Sequence, residues 1–314
     1  MPDIKNVLVT GGCGFIGANL VRFLKARTSW SVGVVDDLRA GSRDAVPDDL
    51  ADVHIGDVGD PSVIEPLLGG TDAVIHLASQ TGVLPSVEDP ARDFAGNAQT
   101  TFRVLESCRR AGVDRFVFAS SGAALGDVPP PLHEEVVPRP LSPYGAGKLT
   151  GEAYCQGYAG SFGMQTVVLR FSNVYGPFSA HKKNAIPNFI KRCLADESID
   201  IFGDGSQTRD FIYVEDLCGA IVGSLSSQKA RGEVIQLGTG VGTSILELAE
   251  LTKQVTGSPS EIRFESRRAG EVYKSQTDIS KARRLLGFEP QTSLVDGLAD
   301  TASWYRAAWE PAQG

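Results

Sequence analysis

The sequence predicts an α/β fold: a doubly wound parallel sheet joined to a smaller, mixed α/β unit. Three observations predict it. Short β-branched runs alternate with longer amphipathic stretches through the first half of the chain. The runs are apolar almost throughout, as expected when helices cover both faces of a parallel sheet. After about residue 174 the alternation fails, and a polar loop over 176–188 leads into helices and short strands at irregular spacing. The predicted strands are 6–10, 32–36, 53–56, 73–78, 115–121 and 166–172, with helices at 16–26, 90–111 and 143–160 between them. A dinucleotide-binding unit is expected over 1–173. A substrate-binding unit over 174–314 follows, with segments around 205–240 interleaved with the first.

The 314 residues are 42% hydrophobic and 22% charged, close to globular averages, so a sizeable core can be buried. Acidic residues outnumber basic ones, 38 to 30, for a net charge of −8, and no Lys/Arg-rich block offers a footprint for nucleic acid. No apolar run approaches the roughly 18 residues of a membrane span. Residues 1–5 carry charge and run straight into Val7-Leu8-Val9, which reads as a strand and not as a signal peptide. The cysteines at 13, 108, 155, 193 and 218 are odd in number and scattered, which points to a reducing, cytoplasmic setting without a disulfide framework or zinc knuckle. Four widely separated histidines indicate no metal site.

Directly after the first strand comes Thr10-Gly11-Gly12-Cys13-Gly14-Phe15-Ile16-Gly17, which opens a helix. Such a turn lets a pyrophosphate approach the helix N-terminus, where free N–H groups and the dipole favour negative charge. A Cβ at Gly14 would hold the phosphates away, and one at Gly17 would spoil helix–strand packing. Asp36, beside Asp37, ends the second strand 19 residues past Gly17, where a carboxylate can accept both ribose hydroxyls of NAD and repel a 2′-phosphate. Arg39 and Arg43 leave NADP as the alternative.

The second signal is Ser142-Pro143-Tyr144-Gly145-Ala146-Gly147-Lys148. Ser142 suits an N-cap and Pro143 the first turn, so Tyr144 falls just inside a helix with Lys148 one turn on, on the same face. A free tyrosine is a poor base at neutral pH. A neighbouring ammonium, the helix dipole and a cationic nicotinamide would all favour its phenolate. Ser120-Ser121 end the fifth strand, at the sheet edge that faces the ligand crevice, where a serine can hydrogen-bond the oxygen that Tyr144 deprotonates.

With these motifs the chain resembles the extended short-chain dehydrogenase/reductase family, whose nucleotide-binding unit is a Rossmann fold, and within it the nucleotide-sugar epimerases and dehydratases. The likeness spans nearly the whole chain. It includes His76-Leu77-Ala78, Ser86-Val87-Glu88-Asp89-Pro90, the segments 169–177 and 203–214, Arg268-Ala269-Gly270-Glu271, and Asp278-Ile279-Ser280-Lys281-Ala282. The resemblance implies roles by position. Asp57 and Val58 would contact adenine; Leu77, Ala78, Ser79, Asn97 and Ser120 would line the cofactor channel; Phe171 would sit by the nicotinamide. Gln80, Ser86, Ser121, Gly122, Asn188 and Phe202 would surround the substrate, and Asn173, Arg209 and Arg268 would hold its diphosphate. Helices 90–111 and 143–160 resemble the pair that forms a four-helix homodimer interface.

The family's reactions share a first step, in which a hydroxyl is deprotonated and its carbon is oxidised. Its 4,6-dehydratases then use an Asp-Glu pair directly after the active-site Ser/Thr, and its decarboxylases a Glu at the second of those positions. Here the two positions are Gly122 and Ala123, neither of which can move a proton. The expectation is therefore a 4-epimerase of a UDP-hexose (UDP-glucose/UDP-galactose or UDP-glucuronate), with Ser121, Tyr144 and Lys148 catalytic and NAD held tightly. The alternatives are an atypical dehydratase or decarboxylase and, from another class, a non-catalytic dinucleotide sensor. Leu125 stands where the family usually has a Tyr, so an altered sugar pocket is expected. His181, Lys182 and Lys183 either meet a C6 carboxylate or form a solvated loop tip.

Overall fold

The structure is a computed structural model that describes residues 4–267 and 273–308. The first half runs β1 (Asn6–Thr10), α1 (Phe15–Arg27), β2 (Ser31–Asp36), β3 (Asp52–Ile55), α2 (Pro61–Ile64), β4 (Ala73–His76), α3 (Val83–Glu88), α4 (Pro90–Phe94), α5 (Thr100–Ala111), β5 (Arg115–Ser121), α6 (Pro143–Phe162) and β6 (Gln165–Phe171). The second half runs β7 (Asn173–Tyr175), α7 (Ala185–Leu194), β8 (Ile199–Phe202), β9 (Thr208–Arg209), β10 (Phe211–Tyr213), α8 (Val214–Ser226), β11 (Glu233–Leu237), β12 (Thr243–Ser244), α9 (Ile245–Thr256), β13 (Ile262–Glu265), α10 (Ser280–Leu286) and α11 (Leu294–Ala308).

Seven parallel strands form the main sheet, in the order β11-β6-β5-β4-β1-β2-β3. Strand order reverses between β1 and β4, and a crevice opens outside the carboxyl ends of the strands at such a switch point. Six of the seven strands fall where the sequence predicts them. The seventh, β11, comes from the second half and pairs with β6, Glu233 against Val167 through Leu237 against Phe171. The second half therefore returns to complete the first sheet.

Alternating side chains feed two cores, as the twofold period of a strand requires. Val7, Val9, Val117 and Leu169 pack on one face beneath α1 and α8; Leu8, Phe116, Phe118 and Val168 pack on the other beneath α5 and α6. The first core continues into Phe189, Ile201, Leu248 and Tyr305 of the C-terminal elements, so the two halves share one apolar interior. All five cysteines are buried and free, and burial pushes the thiols up, Cys108 to about 12.

The helix expected over 90–111 is interrupted. Asp89 caps α4 by accepting from the Arg92 N–H at 3.0 Å, with Pro90 in the first turn. Residues 95–99 then form one widened turn before α5 resumes. The Thr100 hydroxyl donates to the Ala95 carbonyl at 2.8 Å across it. Such a bulge re-aims side chains and is frequent at functional sites; here it turns Asn97 inward. No described helix is long and apolar enough to cross a membrane.

Candidate active site

A cavity of about 430 Å³ opens at the carboxyl ends of the strands. Gly11 has φ +71°, and a Cβ on it would lie 2.7 Å from the Ala78 nitrogen. A Cβ on Gly17 would lie 2.3 Å from the Gly11 carbonyl oxygen. These two glycines let backbone approach backbone. Gly14 is different: a Cβ there would meet only the Gly11 carbonyl oxygen, at 3.4 Å, and would otherwise project into the open cradle at the start of α1. Phe15, Ile16 and Gly17 border the same space, and the first N–H groups of α1 have no partner within the helix. That cradle fits a pyrophosphate. Gly41, which carries no sequence motif, completes it: a Cβ there would lie 2.1 Å from the Cys13 carbonyl oxygen, so the loop after β2 folds tightly over the turn.

Asp36 is buried at the cavity edge. Its Oδ2 accepts from the Cys13 N–H at 2.9 Å and its Oδ1 from the Leu38 N–H at 2.8 Å. Burial raises its pKa, while the Leu38 and Cys13 N–H bonds lower it. Each oxygen keeps a further lone pair for a ribose hydroxyl. Arg39 lies 3.1 Å from both Asp37 and Asp57, and Arg43 is taken up by Asp48 and the Val46 carbonyl. With Asp36, Asp37 and Asp57 around one arginine, the residues fit an unphosphorylated ribose.

Leu77, Ala78, Ser79, Gln80, Ser86, Val58, Asp37 and Phe171 border the cavity. Other candidate residues stand off the wall or are otherwise engaged. Asp57 is not in the wall; its carboxylate accepts from Gly59 and pairs with Arg39. Asn97 sits behind the wall, where it accepts from the Ser79 hydroxyl at 2.6 Å and donates to the Gln80 carbonyl at 3.0 Å. Its task is to hold the loop after β4. Ser120 borders the cavity but donates its hydroxyl to Glu152 at 2.5 Å, and Glu152 is closed by a buried fork from Arg170 at 2.8 and 2.6 Å. Strand alternation separates the two serines, so Ser121 alone serves Tyr144.

Ser121 hydrogen-bonds the Tyr144 hydroxyl. Ser142 caps α6 through the Gly145 N–H, which sets Tyr144 in the first turn. One turn on, the buried Lys148 ammonium donates to the Ala119 carbonyl at 2.8 Å and lies 5.8 Å from the centre of the Tyr144 ring. The expected depression of the tyrosine is not what these residues alone produce. Burial pushes Tyr144 up to about 12, against the Ser121 hydrogen bond, and Asp93 adds to the rise. Burial also lowers Lys148 to about 8, opposed by Asp93 and Glu152. The protein supplies the geometry for a phenolate but not enough positive charge to hold one.

Gly122 leaves open space beside Tyr144's partner: a Cβ there would meet only the Phe171 carbonyl oxygen, at 4.0 Å. Leu125 is fully buried and does not border the cavity, so its replacement of a ring changes the core and not the pocket wall. In the loop after β7, Lys182 enters the wall beside His181 and donates to the Thr81 hydroxyl at 3.3 Å, whereas Lys183 stays outside. Asn173, Asn188, Phe202 and Arg209 stand on β7, α7, β8 and β9, off the cavity wall. Asn173 donates to the Asp210 carbonyl at 3.2 Å, Asn188 is exposed, and Phe202 is half-buried. Arg209 donates to the Thr208 carbonyl at 2.8 Å. Arg268 lies outside the described residues. Asp93, in the cavity wall near Lys148, is a site residue that no motif signals.

Comparison with known proteins agrees with this geometry. A profile of the NAD dependent epimerase/dehydratase family matches residues 7–238. A putative UDP-glucose 4-epimerase of Methanocaldococcus jannaschii is 37% identical over 305 residues, covering 96% of this chain and 98% of that protein. The crystal structure of UDP-glucose 4-epimerase with UDP-glucose from Thermotoga maritima superposes with a TM-score of 0.92 at 36% identity, covering 98% of this chain and all of that one. UDP-glucuronic acid 4-epimerase from Bacillus cereus, in complex with UDP-glucuronic acid and NAD, gives 0.89 at 31% identity over 97% and 100% of the two chains. Two thirds of the chain and more thus align with one group of enzymes, and the protein belongs to the NAD-dependent epimerase/dehydratase family.

Proposed function

We propose that this protein is a 4-epimerase of a UDP-hexose and keeps its NAD through turnover. The observation that carries the reading is the pairing of Tyr144 and Lys148 at one cavity wall, with Ser121 hydrogen-bonded to Tyr144 and an empty step at Gly122-Ala123. The three side chains provide what removal of a hydroxyl proton needs. Tyr144 takes the proton from the sugar O4, Ser121 orients that oxygen, and the Lys148 ammonium lies behind the ring. NAD, when bound, supplies the two-electron acceptor and donor for the sugar carbon and a positive charge beside the ring. Gly11, Gly14 and Gly17 shape its cradle and Asp36 receives its ribose.

After oxidation the sugar is a 4-ketone, and Tyr144, now protonated, can return its proton to O4 from the same place. Inversion requires the ketone to present its other face. The space at Gly122, where a side chain would otherwise stand, accommodates that rotation. Elimination of water needs an acid and a base at the sugar's far side, and positions 122 and 123 provide neither, which disfavours dehydration or decarboxylation. A purely binding role leaves the Ser121–Tyr144 hydrogen bond and the buried ammonium without purpose. The same reading makes the protein a homodimer through the exposed aromatic face of α5 and α6.

Incubation with a panel of UDP-sugars, followed by proton NMR, tests the reading. An equatorial-to-axial change at C4 of one or more of them, without added NAD, is the expected result. Accumulation of a 4-keto-6-deoxy sugar, or no conversion of any, contradicts it.

A further inference from the structure

The buried carboxylates near the sheet are satisfied in different ways. Asp36 accepts from two backbone N–H groups, Glu152 is closed by Arg170 and Ser120, and Asp210 takes donors from Thr239, Gly240 and Thr277. Asp93 is not closed. It is 4% exposed, its Oδ1 accepts from the Asn97 amide at 2.8 Å, and its Oδ2 is the one buried carboxylate oxygen without a hydrogen-bond partner among the described residues. Leaving such an oxygen bare is costly unless its charge does work elsewhere.

Its position shows where. Asp93 stands on α4, packed against α6, and borders the cavity with Tyr144 and Lys148. A Cβ built on Gly147 would lie 3.4 Å from Oδ2, so the bare oxygen abuts α6 one residue before Lys148. Lys148 is itself 4% exposed, and its ammonium donates to the Ala119 carbonyl at 2.8 Å. The groups around it are Glu152 on α6, Lys182 from the loop after β7, His76 on β4, Tyr144 and Asp93. Glu152 is already matched by Arg170, Lys182 repels the ammonium, and His76 is neutral, its pKa lowered by burial to about 3. Asp93 is the carboxylate in this set without a cation of its own; burial raises its pKa, opposed by the Asn97 hydrogen bond and by the Lys148 charge.

We propose that Asp93 is a positioning residue for the reaction: its buried carboxylate keeps the Lys148 ammonium charged and in place behind Tyr144. This rests on the reading of Tyr144 as the base. The bulge at 95–99 serves the same end, because it turns Asn97 to hold Asp93 by Oδ1 and leaves Oδ2 free to act on the lysine.

The sign of the effect is fixed by the charges. Removing the Asp93 charge makes Lys148 easier to deprotonate and the Tyr144 phenolate easier to form, so both groups titrate at lower pH. The whole pH–rate profile of Asp93→Asn should then slide to lower pH, whereas loss of a merely structural contact would scale it down without moving it. In protein labelled with ¹³C at lysine Cε, with Lys148→Arg used to assign the signal, the Lys148 midpoint should fall by about half to one pH unit in Asp93→Asn. Lys182→Met should move it the other way. If Asp93→Asn does not fold, reciprocity supplies the measurement: Lys148→Met should raise the titration midpoint of the Asp93 carboxyl by a similar amount. Midpoints that stay in place, or a profile that superimposes on the wild type after scaling, overturn the proposal. Failure of the underlying reading would look different: Tyr144→Phe would keep its turnover while the Lys148 midpoint still moved.

Discussion

In the proposed reaction Tyr144 is the base, and its surroundings explain why it is not free-standing. Burial raises its pKa to about 12, and the Ser121 hydrogen bond lowers it only in part. A phenolate therefore forms only when positive charge is brought to the cavity, which ties proton removal to an assembled site. Tyr144→Phe should keep the fold and nucleotide binding and lower kcat by about a thousandfold, the usual scale for losing a general base. A steady-state assay together with thermal denaturation checks this; a loss of less than tenfold excludes Tyr144 as the base. The Tyr144–Lys148 spacing and the Gly11, Gly14 and Gly17 pattern were legible in the sequence because each is a local geometric need. Asp93, Gly41 and the raised Tyr144 pKa were not, since each depends on what tertiary packing brings against them.

At the scale of elements, β1, β2, β4, β5 and β6 were legible from their β-branched runs, and α6 from its Ser142-Pro143 start. The break between α4 and α5 was not, because one widened turn leaves the apolar spacing over 90–111 nearly unchanged. β11 was hidden by its short run and its distance from β6 in the chain. The helix pair α5 and α6 carries a row of rings: Phe102 lies 5.2 Å from Tyr154, and Phe162 lies 5.0 Å from the buried Tyr158. Phe162 is 55% exposed, Tyr154 41% and Phe102 38%, a larger apolar face than a lone chain needs. Phe102→Glu with Tyr154→Glu should convert a dimer to a monomer in sedimentation velocity, with little change in thermal stability of the subunit. A wild-type chain that sediments as a monomer at micromolar concentration contradicts the pairing.

Across the whole molecule, one shared interior joins the sheet to the C-terminal elements, so local protonation events register as global stability. His76 lies on the other side of the sheet, beside Phe116 and Phe118, within hydrogen-bond distance of Thr10 at 2.7 Å and Thr101 at 3.3 Å, and burial lowers its pKa from 6.5 to about 3. The unfolded chain binds this proton more readily, so stability falls as pH drops from about 6.5 toward 3. Between pH 6.5 and 5 the His76 share is on the order of 2 kcal/mol. Urea unfolding at the two pH values should show that loss, and His76→Gln should shrink it; an unchanged difference in the variant assigns the loss to other groups.

Gly122 leaves open space next to Ser121, the partner of Tyr144, and the proposal built on it is that the sugar is oxidised and reduced at a single carbon. Running the conversion in deuterated water and reading the product by NMR and mass spectrometry tests this most directly. Inverted product in which every carbon-bound hydrogen is retained is the predicted result. Deuterium at C5 would contradict it, since that exchange belongs to elimination chemistry for which this cavity offers no acid–base pair at positions 122 and 123.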